Sequence, residues 1–284
     1  MKNHILCKNG AGKLGHYYWH FLFGYLFPLV YWLNKDSLGI LQKKFPARLK
    51  QRIYVESCGP FMDKVMHEVL DAMHPRFKIL EDHEIKQFKA AVIDIPAWDE
   101  KIDKRELSLI TQVAGQLCTL FSDCNCGCQH LADMRKIVLL DRAAAPRDMV
   151  ADYKNEDYGR KSRRILNLPE LKDDLIRRGL DVEIYKPGLH KLCCQINAFS
   201  SAKAIVGIRG AEFANLIWAK KGIPVILINP EVMMGEPIQK VLAESRKMKY
   251  FQINKREMIV ELYHQDIAVI GDMLLNAIDD KILA

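Results

Sequence analysis

Two apolar runs, Ala204–Ile208 broken by a glycine turn and Ile223–Asn229 entered from Gly222, restrict this chain to a narrow set of architectures. Ala204-Ile205-Val206-Gly207-Ile208 has no polar alternation, the pattern of a strand buried on both faces in a parallel sheet. Gly207 and Gly210 break it, and an apolar-periodic helix is expected at once through Ala211, Phe213, Ala214, Leu216, Ile217 and Trp218. Gly222 ends that helix, and the second strand follows. Strand, glycine turn and helix N-terminus together expose free backbone N–H groups, a geometry suited to a diphosphate. The unit is half of a doubly wound α/β domain, with an anion-ready crevice at its strand ends.

The same alternation extends over the rest of the 284 residues. Strands are expected at His4–Cys7, Arg52–Glu56, Phe77–Leu80, Ala90–Ile95, Lys136–Leu140, Asp181–Tyr185 and Tyr250–Ile253. Helices are expected at Tyr17–Leu33, Phe61–Met73, Leu107–Phe121, Leu168–Arg178, Leu189–Ala202 and Gln265–Leu283. Strands alternating with helices predict parallel sheets. The small, polar, aperiodic stretch Ser122–Asp133 reads as a linker. Residues 1–130 and 131–284 thus form two Rossmann-like domains facing a cleft, and the last helix can pack back on the first domain.

With 49% apolar and 27% charged residues, the composition is that of a soluble globular protein. The net charge of +7 favours anionic ligands, but no Lys/Arg run is dense enough for nucleic acid. The aromatic stretch Tyr17–Leu33, broken by His20 and Pro28, is too short and polar for a membrane span, although a surface helix grazing a membrane is compatible with it. The first ten residues lack a signal-peptide pattern, and a cytoplasmic protein is the simplest reading. Cys124, Cys126, Cys128 and His130 could put soft ligands on one side of an extended segment, yet no second pair completes a zinc spacing; free thiols are expected.

Two places carry candidate chemistry. Gly10-Ala11-Gly12-Lys13-Leu14-Gly15 fits G-x-G-x-x-G, but the acidic residue expected some twenty positions later is missing, Asp36 following a helix pattern; a loop capping the first strand is favoured over a dinucleotide site. A helix beginning near His16 would put His16 and His20 on one face, where either could accept a proton. Farther on, Arg142, Arg163, Arg164 and Arg209 fall at or near strand ends, where guanidinium groups bind phosphate oxygens bidentately. With the helix N-terminus they could neutralise a leaving diphosphate in place of a metal. Glu212 either favours the helix dipole or accepts hydrogen bonds from sugar or ribose hydroxyls.

Asp141-Arg142, then Arg164-Ile165-Leu166-Asn167 with Glu170-Leu171, then Gln195, then Gly207-Ile208-Arg209-Gly210-Ala211 with Asn215, resembles glycosyltransferase family 61. That family's pattern is roughly R-x-I-x-N-x-x-E-L, E-Q and G-x-H-G-A-x-L-T-N. Its N-terminal signature, a glycine or asparagine turn followed by H-F-L or H-W-L and an acid, is similar to Gly15–Pro28 with His20-Phe21-Leu22. The resemblance implies a GT-B fold, donor nucleotide in the C-terminal domain, inversion at the anomeric carbon and no metal cofactor. Here the family's glycine-turn histidine is Arg209, its leucine-threonine pair is Phe213-Ala214, Glu212 replaces a small residue, and the acidic position after H-F-L is Gly24.

The reading is a metal-independent inverting transferase moving a sugar, xylose or N-acetylglucosamine as first choices, from a UDP-sugar to a glycan hydroxyl. Gly210, Ala211 and Asn215 would hold the diphosphate or ribose, with Asn167 from the same motif set. Arg142, Arg164 and Arg209 would neutralise the leaving group. His20, failing that His16, would deprotonate the acceptor, with Asp94 at a strand end in reserve. The rivals are an NAD(P)-dependent oxidoreductase using Gly10–Gly15 and a non-catalytic nucleotide- or glycan-binding relative.

Overall fold

Continuous apolar strands without polar alternation need cover on both faces, and parallel sheets with helical crossovers provide it. The computed structural model describes residues 4–34, 52–73, 76–88, 91–99, 102–122, 136–142, 163–233 and 235–279. Asp36 and the Cys124–His130 run lie outside these residues. The chain divides into two compact units, Met1–Asp123 and Cys124–Ala284.

In the first unit, strands β1 (His4–Asn9), β2 (Arg52–Glu56), β3 (Phe77–Leu80) and β4 (Ala91–Ile95) form a parallel sheet in the order β3-β2-β1-β4. Strand order reverses at β1, so the carboxyl ends of β1 and β4 flank the switch point where ligands bind in doubly wound sheets. The segment leaving β1 was expected to form one helix over Tyr17–Leu33. It is instead a 3₁₀ turn (Gly12–His16), helix α1 (Tyr18–Phe21), a π-helical turn (Leu22–Leu26) and helix α2 (Phe27–Asn34). Tyr17, extended at φ −101° and ψ 131°, separates the first two, so His16 and His20 do not share a helix face. The aromatic stretch is not a surface helix: Phe21, Leu22, Phe23, Tyr25, Leu26 and Phe27 are fully buried. No helix among the described residues is long and apolar enough to cross a membrane. Helix α3 (Pro60–Met73) buries Met62, Val65, Met66, Val69, Leu70 and Met73, the spacing of one helical stripe. A short α4 (Asp82–Ile85) and then α5 (Lys104–Leu120), started by an Asp103/Glu106 capping box, complete the unit.

The second unit holds β5 (Ile137–Leu140), β6 (Arg164–Ile165), α6 (Leu168–Arg177), β7 (Val182–Tyr185), α7 (Leu192–Ser201), β8 (Ala204–Ile208), β9 (Pro224–Pro230), α8 (Ile238–Ser245), β10 (Lys249–Lys255), β11 (Ile259–Val260) and α9 (His264–Asp279). Its five-stranded parallel sheet runs β10-β9-β8-β5-β7, with β11 and β6 paired in a separate ribbon. Here the switch point lies between β5 and β8. Residues of β5, β8 and β9 pack against Leu171 and Leu175 of α6 and Ile270 and Leu274 of α9 in one core. The crossover from β8 differs from the expected α-helix: Ala211–Ile217 is a seven-residue 3₁₀ helix. Only fifteen residues separate Ile208 from Pro224, and the longer 3₁₀ rise of about 2 Å per residue covers the distance in fewer residues.

Candidate functional site

At the switch point of the first unit, Asn9 organises the glycine loop. Its Oδ1 accepts from Ala11 N at 2.9 Å, and its Nδ2 donates to Gly12 O at 3.0 Å. A Cβ on Gly10 would lie 2.0 Å from Ile95 O, and one on Gly15 would lie 2.3 Å from Asn9 Nδ2. Two of the three motif glycines are thus needed for packing against this chain's own atoms, which accounts for them without a dinucleotide.

The next segment is held by its own polar groups. Tyr25, fully buried, donates to Cys7 O at 2.7 Å and accepts from Glu56 N at 3.0 Å, fixing the π turn across the ends of β1 and β2. Burial pushes the Cys7 thiol up to about 12 and raises Cys58 further, so these are inert packing thiols. In the π turn Phe27 N–H donates to Leu22 O, five residues back. The next carbonyl, Phe23 O, would need an N–H from Pro28, which has none. Trp98 N–H fills that vacancy at 3.2 Å. This bond ties the loop after β4 to the π turn and delivers Asp99 to the His20 ring: His20 Nδ1 lies 2.5 Å from Asp99 Oδ2. The Asp99 side chain is 1% exposed and that of His20 32%.

Asp99 was not legible as a site residue, being 79 positions from His20 in a loop with no motif. Asp94 sits exposed on β4, opposite Lys8 in the β1–β4 register, and no described contact joins it to His20. His16 ends the 3₁₀ turn.

At the switch point of the second unit, Arg142 follows β5 and Gly210 and Glu212 follow β8. Arg142 Nε lies 2.9 Å from Glu212 Oε1, at ion-pair distance but not aligned as a hydrogen bond. A Cβ on Gly210 would stand 2.5 Å from Glu212 Oε2 and 3.3 Å from Arg142 Nη1, so only glycine lets this pair close over the turn. Gln239 at the start of α8 donates to Gly210 O at 3.3 Å. Arg142 Nε and Nη1, Glu212 Oε2 and Gln239 Oε1 are all buried without a hydrogen-bond partner among the described residues. Buried polar atoms are normally satisfied, and a cluster of them marks a place built for a ligand.

Two further guanidiniums complete the charge. Arg163 donates from Nη1 to Arg209 O at 3.0 Å, and its ionisation is lowered to about 10, first by burial, then by Arg142, with Arg209 adding and Glu212 opposing. Burial also lowers Arg209. Asp141 is occupied by Lys186 at 3.2 Å. Among the described residues, Arg142 and Arg163 thus act on one carboxylate, Glu212, with Arg209 beside Arg163.

The other expected donor residues have structural duties. Arg209 Nη1 donates to Asn229 Oδ1, Met233 O and Gly235 O, clamping the loop after β9. Asn215, fully buried, donates to Gln195 Oε1 and accepts from Trp218 Nε1, both at 2.9 Å. Asn167 donates to Leu262 O and accepts from Leu262 N, stapling the start of α6 to the segment after β11. Arg164 lies in the β6–β11 ribbon with Nε buried and unpartnered among the described residues. Ala211 opens the 3₁₀ helix. Gln239 is the addition that sequence reasoning missed, since a glutamine in a surface-type helix carries no signal.

Parallel α/β units with polar sites at the carboxyl ends of their sheets define a Rossmann-like α/β class, in which ligands bind at those ends. The family model for glycosyltransferase 61 matches residues 18–226, and the chain belongs to that family. It is a glycosyltransferase, whose substrates are a nucleotide sugar and an acceptor. No curated protein matches the sequence.

Proposed function

We propose that this glycosyltransferase moves a sugar with inversion from a UDP-activated donor to a hydroxyl of a glycan, without a metal cofactor and in the cytoplasm. Xylose and N-acetylglucosamine are the first donor sugars to test. The first unit takes the acceptor-side role and the second binds the donor. The observation that carries the reading is the excess of cation among the described residues at the β5–β8 switch point: Arg142 and Arg163 against Glu212, with Arg209 beside Arg163, and four buried polar atoms without partners.

A diphosphate answers the cations and the unpartnered Arg142 donors, because its oxygens accept from guanidinium groups and its charge relieves their mutual repulsion. In the reaction the acceptor hydroxyl gives its proton to His20 Nε2 while its oxygen bonds to the anomeric carbon. The bond from that carbon to the diphosphate oxygen breaks, and its electron pair leaves with UDP. Attack from the face opposite the leaving group inverts the centre. Negative charge grows on the diphosphate as that bond breaks, and preorganised guanidiniums stabilise it. Glu212 and Gln239 supply acceptors for ribose or sugar hydroxyls.

Calorimetric titration of the full chain with UDP in the presence of a chelator tests this reading. UDP should bind, NADH should not, and Arg163→Ala should weaken UDP at least about tenfold, equivalent to about 1.4 kcal/mol. Binding of NADH without UDP, or UDP binding indifferent to Arg163, would overturn it.

A further inference from the structure

The family's N-terminal signature has an acid where this chain has Gly24, and the structure shows what occupies that space. A Cβ on Gly24 would stand 2.9 Å from both Cγ and Oδ2 of Asp99. Asp99 therefore fills the volume a side chain at position 24 would need, and it does so from the loop after β4 rather than from the π turn. Oδ2 of the same carboxylate meets His20 Nδ1. Its other oxygen, Oδ1, is buried with no hydrogen-bond partner among the described residues. A buried carboxylate with one partner is poorly compensated, and it gains most when that partner becomes positively charged.

We propose that Asp99 is the positioning residue of the acceptor base, a carboxylate supplied by the β4 loop in place of one at position 24. The inference rests on the reading of His20 as that base. A carboxylate only accepts, so the neutral His20 ring carries its proton on Nδ1 and keeps the Nε2 lone pair for the acceptor hydroxyl. Once Nε2 has taken the proton, the imidazolium faces a buried carboxylate, an interaction strengthened along the reaction coordinate. The Trp98–Phe23 backbone bond sets the distance, so Pro28, which leaves Phe23 O open, belongs to the same device.

The test has two arms on the full chain. Long-range ¹H–¹⁵N spectra, which need no substrate, should show His20 as the Nδ1–H tautomer and should lose that preference in Asp99→Asn. A predominant Nε2–H tautomer in the wild type overturns the proposal. In the kinetic arm Asp99→Asn, which keeps the shape of the side chain, should lower kcat at least about 10²-fold with donor KM and Tm nearly unchanged. A kcat within threefold of the wild type overturns it as well. Failure of the wild type to bind UDP or release it from any UDP-sugar refutes the UDP-donor reading, while the spectra still decide the pairing.

Discussion

Gly24→Ala is the smallest change that loads the His20–Asp99 site, and its cost can be worked from distances. The added carbon would meet Ala11 Cβ at 2.8 Å and Asp99 Cγ and Oδ2 at 2.9 Å. Carbon contacts are comfortable at about 3.5–4.0 Å, so the deficit is at least roughly 0.6 Å on two sides. Ala11 has no rotamer with which to retreat, and its loop is held by the 2.9 Å bond from Ala11 N to Asn9 Oδ1 and by the approach of Gly10 to Ile95 O. Overpacking in such a place costs about 1–3 kcal/mol. At about 4 °C per kcal/mol for a unit of this size, thermal unfolding should fall by about 4–12 °C. Asp99 is the neighbour with freedom to yield, so kcat should drop about tenfold or more as it leaves His20. UDP affinity should be unchanged, since the arginine cluster shares no residue with this site. Differential scanning calorimetry, steady-state kinetics and UDP titration read the three effects. A variant with Tm within 1 °C of the wild type and undiminished kcat would refute the reasoning.

Burial raises the Glu56 carboxyl above its usual range, against a smaller opposing effect of the Asn9 N–H bond. Its charge therefore costs folding free energy at pH values above the folded pKa and none below the unfolded value of about 4.3. Glu56→Gln, which keeps an acceptor for Asn9 N, should raise Tm at pH 7 and leave it unchanged near pH 4; equal shifts at both pH values would exclude the electrostatic cause. Asn215→Ala removes the donor to Gln195 and the acceptor for Trp218, two buried bonds, and should cost about 2–4 kcal/mol in denaturant unfolding. Loss of UDP affinity at unchanged stability would instead make Asn215 a direct ligand.

Strands were the most legible feature. Ile205–Ile208 and Val225–Ile228 lie in the interior of a parallel sheet, where continuous apolar sequence leaves no other placement. At the β5–β8 switch point Arg142, Gly210 and Glu212 were readable because strand-end position and residue chemistry agree locally, and the structure brings all three together. The role of Arg209 was not, because its three acceptors come from the end of β9 and the loop after it, twenty or more residues on. The break at Tyr17 and the π register were invisible to a 3.6-residue period, which the aromatic run satisfies all round. Asp99 depended on that register: Phe23 O is left open only when Phe27 bonds to Leu22 and Pro28 comes next. The 3₁₀ crossover after Gly210 likewise follows from the distance to β9, a property of the assembled sheet.

The central claim is inverting sugar transfer from a UDP donor, and the stereochemistry of the first product tests it most directly. Proton NMR can follow an α-linked UDP-sugar incubated with the full chain and a chelator, with water or a glycan as acceptor. Release of UDP with the β-anomer formed first is expected, together with loss of that release in His20→Ala. First formation of the α-anomer, or turnover that survives His20→Ala undiminished, would contradict it.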